Sequence, residues 1–346
     1  DDKQAVMGHL EAVEDLLAQG FEPSRDVYLA FGHDEECSGF QGAAKIAQHF
    51  TAQGVHKFDF MLDEGLFVIT DVVPGHKNPV AMVCTSEKGY VTVKLSVSSL
   101  PGHASQPPVL SNTSGSPVGI LAQALSRLER NPMSGHFSCA DAMLSSLAGG
   151  FSWPLQLLMS NTWLFSPLLL RVFSSKPTTS TLVRTTTALT VVKGGSKSNV
   201  LPAKATALVN HRIHPKDSVA KVIAHDVKTI NDPRVQVEVF GSPVEPAPVS
   251  SVDTKAFHDL RASVREVFPN VAVAPGLFVA ASDSRHFWAY TDSIYRFNPV
   301  TLHASETSMF HGDNERISVR NYAQCVAFFR TFHVRSNQVR SSQAKN

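Results

Sequence analysis

Charge of one sign is missing from this sequence: 31 Lys and Arg face 30 Asp and Glu over 346 residues, and no basic block breaks the balance. Such a chain has no stripe with which to track a phosphate backbone, so nucleic acid is not an expected partner. Cysteine is scarce as well. Cys37, Cys84, Cys139 and Cys325 are scattered and form no Cys-x-x-Cys, which argues against a disulfide framework and against a thiolate zinc site. They are expected to be buried thiols, with a single disulfide left open. Long apolar runs are also absent: the stretch 151–173 is broken by Ser160, Asn161, Thr162 and Pro167, short of the ~18 consecutive apolar residues of a membrane span. The opening Asp1-Asp2-Lys3 leads into a helical pattern and not into a signal peptide.

What is present is enough apolar material, 43% of the chain, for about two domains of ~150 residues. Val6, Leu10, Val13 and Leu17 make one helical stripe that Gly20 terminates. The run Val27 to Gly32 reads as a strand, followed by a helix over 39–50 and a strand over 57–62 that ends at Asp63-Glu64-Gly65. Beyond Gly89, Val91, Val93, Leu95 and Val97 alternate with Thr92, Lys94, Ser96 and Ser98, the pattern of a half-buried strand. A helix over 116–129, strands over 185–192 and 205–213, a helix over 218–230 and a strand over 235–240 complete β-α-β-β-α-β, the order of a ferredoxin-like unit. Past the Pro-rich 243–248, α/β character returns, with a helix around Phe257, Leu260, Val264 and Val267, strands at 271–274 and 294–297 and a last helix over 318–333. The expected architecture is α/β: a discontinuous catalytic domain, 1–88 with 243–346, interrupted by an inserted domain over 89–242.

Chemistry-bearing residues gather at the ends of these elements. His33-Asp34-Glu35-Glu36 follows the first strand, and adjacent carboxylates there suit metal-assisted hydrolysis, one holding a cation while its neighbour takes a proton from water. Asp1-Asp2-Lys3, Asp63-Glu64-Gly65 and His311-Gly312-Asp313-Asn314-Glu315 stand at further boundaries, where open α/β sheets collect ligands. Taken singly each has an ordinary reading: a solvated acidic turn for Glu35 and Glu36, a helix N-cap for Asp1, a turn residue for Asp63, a loop histidine for His311.

Together, and in this order, the four motifs resemble the dinuclear zinc amidohydrolases of the aminoacylase, carboxypeptidase and dipeptidase family, over essentially the whole chain. The segments Ser86-Glu87-Lys88-Gly89, 184–190, Asn199-Val200-Leu201-Pro202 and Arg212-Ile213-His214-Pro215 look closest to members acting on N-fatty-acyl amino acids and to carboxypeptidase-S-like relatives. The resemblance implies a zinc-peptidase-like catalytic domain with a ferredoxin-like lid that also serves dimerisation. It implies two zinc ions, with Asp1 bridging, Glu36 and His311 completing one site and Asp63 in the other, and Glu35 as general base. His103 in Pro101-Gly102-His103-Ala104 matches the lid histidine that stabilises the oxyanion, in many relatives from across a dimer; here Ala104 stands where Ser is more usual. Asn199 and Arg212 match positions that hold the substrate backbone or carboxylate, and Arg285 in Asp283-Ser284-Arg285 matches a substrate loop. A turn histidine at 103 and a surface ion pair at Arg212 are the plainer alternatives. The apolar insertion 137–173 reads either as extra lid core or as a wall for an acyl chain.

The implied reaction is hydrolysis, and reversibly formation, of the amide in N-fatty-acyl amino acids; a metallo-exopeptidase, dipeptidase or inactive acyl-amino-acid binder is the alternative. The implied setting is secreted or lumenal, with which the Asn112-Thr113-Ser114 sequon agrees. The family's upstream His-x-Asp motif has no counterpart, because none of the 15 histidines precedes Asp1. The chain is therefore expected to be a fragment without the second zinc's histidine, and inactive or nearly so on its own.

Overall fold

A computed structural model describes residues 2–71 and 73–338. In chain order the elements are α1 (Lys3–Ala18), α2 (Ala43–Ala52), β1 (Met61–Thr70), β2 (Val80–Glu87), β3 (Gly89–Ser98), β4 (Gly102–His103), α3 (Pro117–Arg130), α4 (Ser138–Leu147), α5 (Trp153–Ser160), α6 (Thr162–Ser174), α7 (Pro177–Ser180) and β5 (Thr186–Gly194). There follow β6 (Val200–Leu201), β7 (Lys204–Ile213), α8 (Val219–Ile230), β8 (Gln236–Val244), α9 (Lys255–Val267), β9 (Ala272–Phe278), β10 (Ile294–His303) and α10 (Val319–Asn337). They form two compact units: residues 2–86, 139–166 and 248–338 in the first, 87–138 and 167–247 in the second.

The first unit is built on a mixed sheet of order β1-β10-β2-β9, in which β1 runs parallel to β10 and β2 antiparallel to it. Every residue of β2 is buried, as a strand covered on both faces requires. One core joins this sheet to α9 and α10 through Val83, Leu260, Val264, Tyr295, Phe297 and Phe328. Helix α1 meets α10 through the row Gly8, Ala12 and Leu16, not through the stripe of larger side chains, of which Leu10 and Leu17 stay exposed. The small residues decide this, because a Cβ at Gly8 would press on Cys325 Sγ at 2.9 Å. Cys325 is a buried thiol, whereas Cys37 lies exposed in the short 3-10 turn Glu35–Cys37, contrary to expectation.

Two further expectations are corrected here. Residues 27–32 are extended but belong to no ladder, since a strand exists only where a neighbour exchanges backbone hydrogen bonds with it; Tyr28 instead packs its ring against Phe50 and Phe58. Asp63-Glu64-Gly65 does not follow a strand but lies near the start of β1, inside an irregularity. Asp63 opposes Arg296 and Leu66 opposes Phe297, so Glu64 and Gly65 are extra on β1. Between Leu66/Phe297 and Val68/Thr301 the surplus passes to β10, and the original register returns. Bulges of this kind re-aim side chains. Gly65 is required at this one, because a Cβ there would run into the Arg296 backbone.

The second unit has the antiparallel sheet order β5-β7-β3-β8, which with α3 and α8 is the ferredoxin-like arrangement. Val91, Val93, Leu95 and Val97 all point into its core, against Ile120, Leu121, Leu128 and Val222. Ser116 and Ser218 cap the two helices, accepting from Gly119 N and Lys221 N.

Candidate active site

A cavity of about 400 Å³ in the first unit is lined by Asp2, Glu35, Glu36, Asp63, Glu64 and Asp283, with His33 beside them. The tetrad reaches it through a clasped loop. Asp34 Oδ2 accepts from Gln41 N and Oδ1 from Gly42 N, both at 2.8 Å, and these bonds hold its carboxyl below the usual range. Ser38 and Gly39 take the left-handed conformation that turns the chain toward α2. A Cβ at Gly39 would collide with the Asp283 carboxylate, so the loop and the 283–287 turn can meet only around glycine.

Glu35 sits where one positive group counters several negative ones. Arg285 Nη2 reaches Glu35 Oε1 at 3.4 Å, and Arg285 Nε donates to Ser282 O at 2.9 Å. Burial first, then the charges of Asp283 and Glu36, push Glu35 up to about 7 despite Arg285. Glu36 pairs with His311 Nε2 at 2.8 Å in an exposed position. His311 holds a left-handed backbone, φ 55°, in the turn 311–314.

Asp63 is engaged on both oxygens, Oδ1 by Glu64 N at 2.9 Å and Oδ2 by Ser284 N at 2.8 Å. Ser284 Oγ in turn accepts from Arg296 Nε and Nη2 at 3.0 and 2.7 Å, which ties the 283–287 turn to β10. Glu64, to which the sequence assigns no role, is strongly perturbed. Burial, Asp63 and then Asp2 push it up to about 9. Asp2 is another carboxyl that the sequence does not single out. It precedes α1 without capping it, and burial and Asp63 raise it to about 6 while the Asn298 side chain holds it down. Asp283 is raised too, chiefly by burial. The one sequence signal for Glu64 is its place between an expected ligand and a glycine, but burial is what sets it apart. Asp1 lies outside the described residues.

The other expected site residues belong to the second unit. His103 and Asn199 are brought together there: β4 pairs with β6, His103 opposite Val200, and Ala104 N donates to Asn199 O at 3.1 Å. His103 Nδ1 bonds Ser105 Oγ at 2.7 Å. Arg212 lies on β7 with its guanidinium over the Tyr90 ring, 5.8 Å from the centroid.

Cations suit the first-unit site by charge and donor chemistry. Carboxyls that burial and mutual repulsion push upward, as they do Asp2, Glu35 and Glu64, are those a metal ion would ionise, and carboxylate with imidazole is a zinc donor set. Among the described residues no three His, Cys, Asp or Glu side chains stand ready to enclose an ion.

Residues 1–334 match the family described as peptidase family M20/M25/M40. The chain belongs to that family. It is 47% identical over 332 residues to the N-fatty-acyl-amino acid synthase/hydrolase of Xenopus tropicalis, covering 95% of this chain and 64% of that protein. It is 44% identical over 338 residues to the probable carboxypeptidase S-like 2 of Dictyostelium discoideum, covering 97% and 64%. The chain thus spans slightly under two-thirds of the length of these relatives. Its fold is that of the M20 family metallo-carboxypeptidase of Sulfolobus solfataricus, with TM-score 0.64, 16% identity and coverage of 96% of this chain and 75% of the other. Human carnosine dipeptidase 1 is similar, with TM-score 0.58, 14% identity, and 98% and 73% covered.

Proposed function

We propose that this chain carries the catalytic machinery of a zinc-dependent amidohydrolase that cleaves, and in reverse forms, the amide bond of N-fatty-acyl amino acids. The observation that carries the reading is Glu35, a carboxyl raised to about 7 in a cavity crowded with acids. A base poised near the working pH can both accept and return a proton. The synthase/hydrolase relatives supply the substrate class.

Glu36 with His311 would hold one zinc, Asp63 with Glu64 would hold the other, and Asp1 would serve both. Glu64 joins the set because Asp63 already spends both oxygens on backbone N–H groups. When bound, zinc polarises the scissile carbonyl and acidifies the attacking water. Glu35 takes that water's proton and delivers it to the departing amine nitrogen, while Arg285 fixes the Glu35 carboxylate or meets the substrate carboxylate beside it. His103 donates to the oxyanion of the tetrahedral intermediate, and Asn199 and Arg212 bind the amino-acid half. Residues 89–242 act as lid and dimerisation domain, and 1–88 with 243–346 as catalytic domain. No helix of the described residues is long and apolar enough to cross a membrane. We assign the protein to a secreted or lumenal setting, with Asn112, exposed in a loop, as its glycan acceptor.

The test is residual release of phenylalanine from N-oleoyl-phenylalanine by the zinc-loaded chain, measured beside the longer Xenopus tropicalis relative. Glu35→Gln is expected to lower kcat by roughly 10²–10⁴ with little change in KM; full turnover in that variant would remove Glu35 from the mechanism. The carboxypeptidase S-like relatives favour a second reading, peptide cleavage, and faster turnover of a dipeptide in the same assay would select it.

A further inference from the structure

Arg296 is among the largest side chains that the fold buries completely, and it stands on β10 opposite Asp63 of β1. A guanidinium in such a place is a permanent charge out of water, where an apolar side chain of similar size would pack at lower cost. Its hydrogen bonds say what it is for. Nε and Nη2 both donate to one atom, Ser284 Oγ, and Ser282 Oγ lies 2.8 Å from that same oxygen. Ser282 and Ser284 are buried as completely as Arg296. The Ser284 side chain is thus gripped from two directions, and the peptide that carries its N–H is fixed with it.

That N–H is the one that reaches Asp63 Oδ2 at 2.8 Å. Asp63 Oδ1 takes the N–H of Glu64, the next residue along the chain, so that bond travels with Asp63 wherever it goes. Of the two, only the Ser284 bond refers the carboxylate to another segment. Arg296 belongs to a strand paired with both β1 and β2, whereas Ser284 lies in the short 3-10 turn 283–287. The sheet therefore supplies the reference, and the turn passes it to Asp63. Neither Arg296 nor Ser284 lines the acid-rich cavity, so both act from behind it.

We propose that Arg296 is a positioning residue: through Ser284 it holds the Asp63 carboxylate in the orientation in which it takes zinc. The proposal rests on the zinc reading of the cavity. Groups behind a metal ligand fix its orientation before the metal arrives, and removing one costs roughly 10–100-fold in affinity.

Zinc uptake by the full chain, measured by competition with a chromophoric chelator, tests this without any appeal to turnover. Ser284→Ala removes the hydroxyl that Arg296 grips but keeps the N–H on Asp63, and it should weaken the zinc that Asp63 serves roughly 10–100-fold. Arg296→Met should do the same, and Arg296→Lys, which lacks the planar fork, should recover only part of the loss. Ser284→Ala removes a single oxygen atom, which keeps the test open where Arg296→Met does not fold; circular dichroism of the metal-free proteins reports that. On an Asp63→Asn background, Ser284→Ala should alter zinc affinity less than about twofold, because its effect passes through Asp63. Zinc affinity unchanged in Ser284→Ala, or a loss just as large when Asp63 is already Asn, overturns the proposal. A parent chain that takes up no zinc brings down the reading of the cavity itself, and the role of Arg296 with it.

Discussion

In the second unit, His211 Nε2 and Asp226 Oδ2 meet at 2.9 Å with neither side chain exposed, and Thr187 Oγ1 lies 3.1 Å from the other imidazole nitrogen. In the first, Asp2, Glu35, Asp63, Glu64 and Asp283 share a cavity in which Arg285 is the cation that touches Glu35. The second unit buries an imidazole and a carboxylate as a pair of opposite potential charge. The first gathers carboxyls, of which burial first and then mutual repulsion push Asp2, Glu35, Glu64 and Asp283 upward. Paired groups indicate structure, and an uncompensated cluster indicates a place kept for something positive.

The sharpest way to break this contrast is to remove a partner from each unit. Asp226→Ala leaves His211 buried without its carboxylate and is expected to cost about 3–5 kcal/mol in urea unfolding. Glu64→Gln in metal-free protein at neutral pH should cost under about 1 kcal/mol, because a carboxyl raised to about 9 is already neutral there. Equal costs would erase the distinction. Zinc supplies the next test. At a free concentration of about 100 times its Kd it should stabilise the chain by about 2.7 kcal/mol, read as a rise in Tm, reversed by chelator and diminished in Glu64→Gln. No rise, or a rise indifferent to Glu64, would take the cation out of that cavity.

Acid titration separates the two kinds of burial within the first unit. His9 stacks on Phe329 and meets His333, and burial followed by His333 pushes it down to about 3. The unfolded chain therefore takes up a proton near pH 6.5 that the fold refuses, and the contribution of neutral His9 is intact above that pH and lost as pH falls toward 3. The raised carboxyls act in the opposite sense, being easier to protonate in the fold. His9→Phe should hence gain about 2 kcal/mol on the parent between pH 7 and pH 5, seen as diverging Tm curves; parallel curves would put His9 in water. The smallest effects come from the caps. Ser218→Ala in the second unit and Thr254→Ala in the first each remove an N-cap acceptor and should cost about 1 kcal/mol. Two calorimetric transitions, each moved by one variant only, would show the units unfolding separately.

The starts of α3, α8 and α10 and the alternation of β3 are legible in the amino-acid sequence, because both depend on near neighbours along the chain. The tetrad and His311 stand out as residue types at element boundaries, whereas Arg285 enters through the family resemblance alone. Residues 27–32 carry the composition of a strand without being one, because a strand needs a ladder partner, which no local pattern supplies. The contact row of α1 departs from its apolar stripe because hydrophobicity favours Leu10 and Leu17, while close approach to α10 selects Gly8 and Ala12. Glu64 has no comparable mark in the sequence, since its significance comes from burial among Asp63, Asp2 and Glu35, groups contributed by separate segments.

The irregularity between β1 and β10 makes the site separable from the sheet that carries it. Surplus residues on one strand are answered by surplus residues on the other, so Asp63/Arg296 and Val68/Thr301 are both 233 positions apart. Everything after Val68 is indexed as though the detour had never been made. Removing one residue from either side alone would shift the remainder of the strand by one and exchange its inner and outer faces. Shortening both sides together would leave that remainder in step, giving the loop around the carboxylates a freedom to vary that the core does not share.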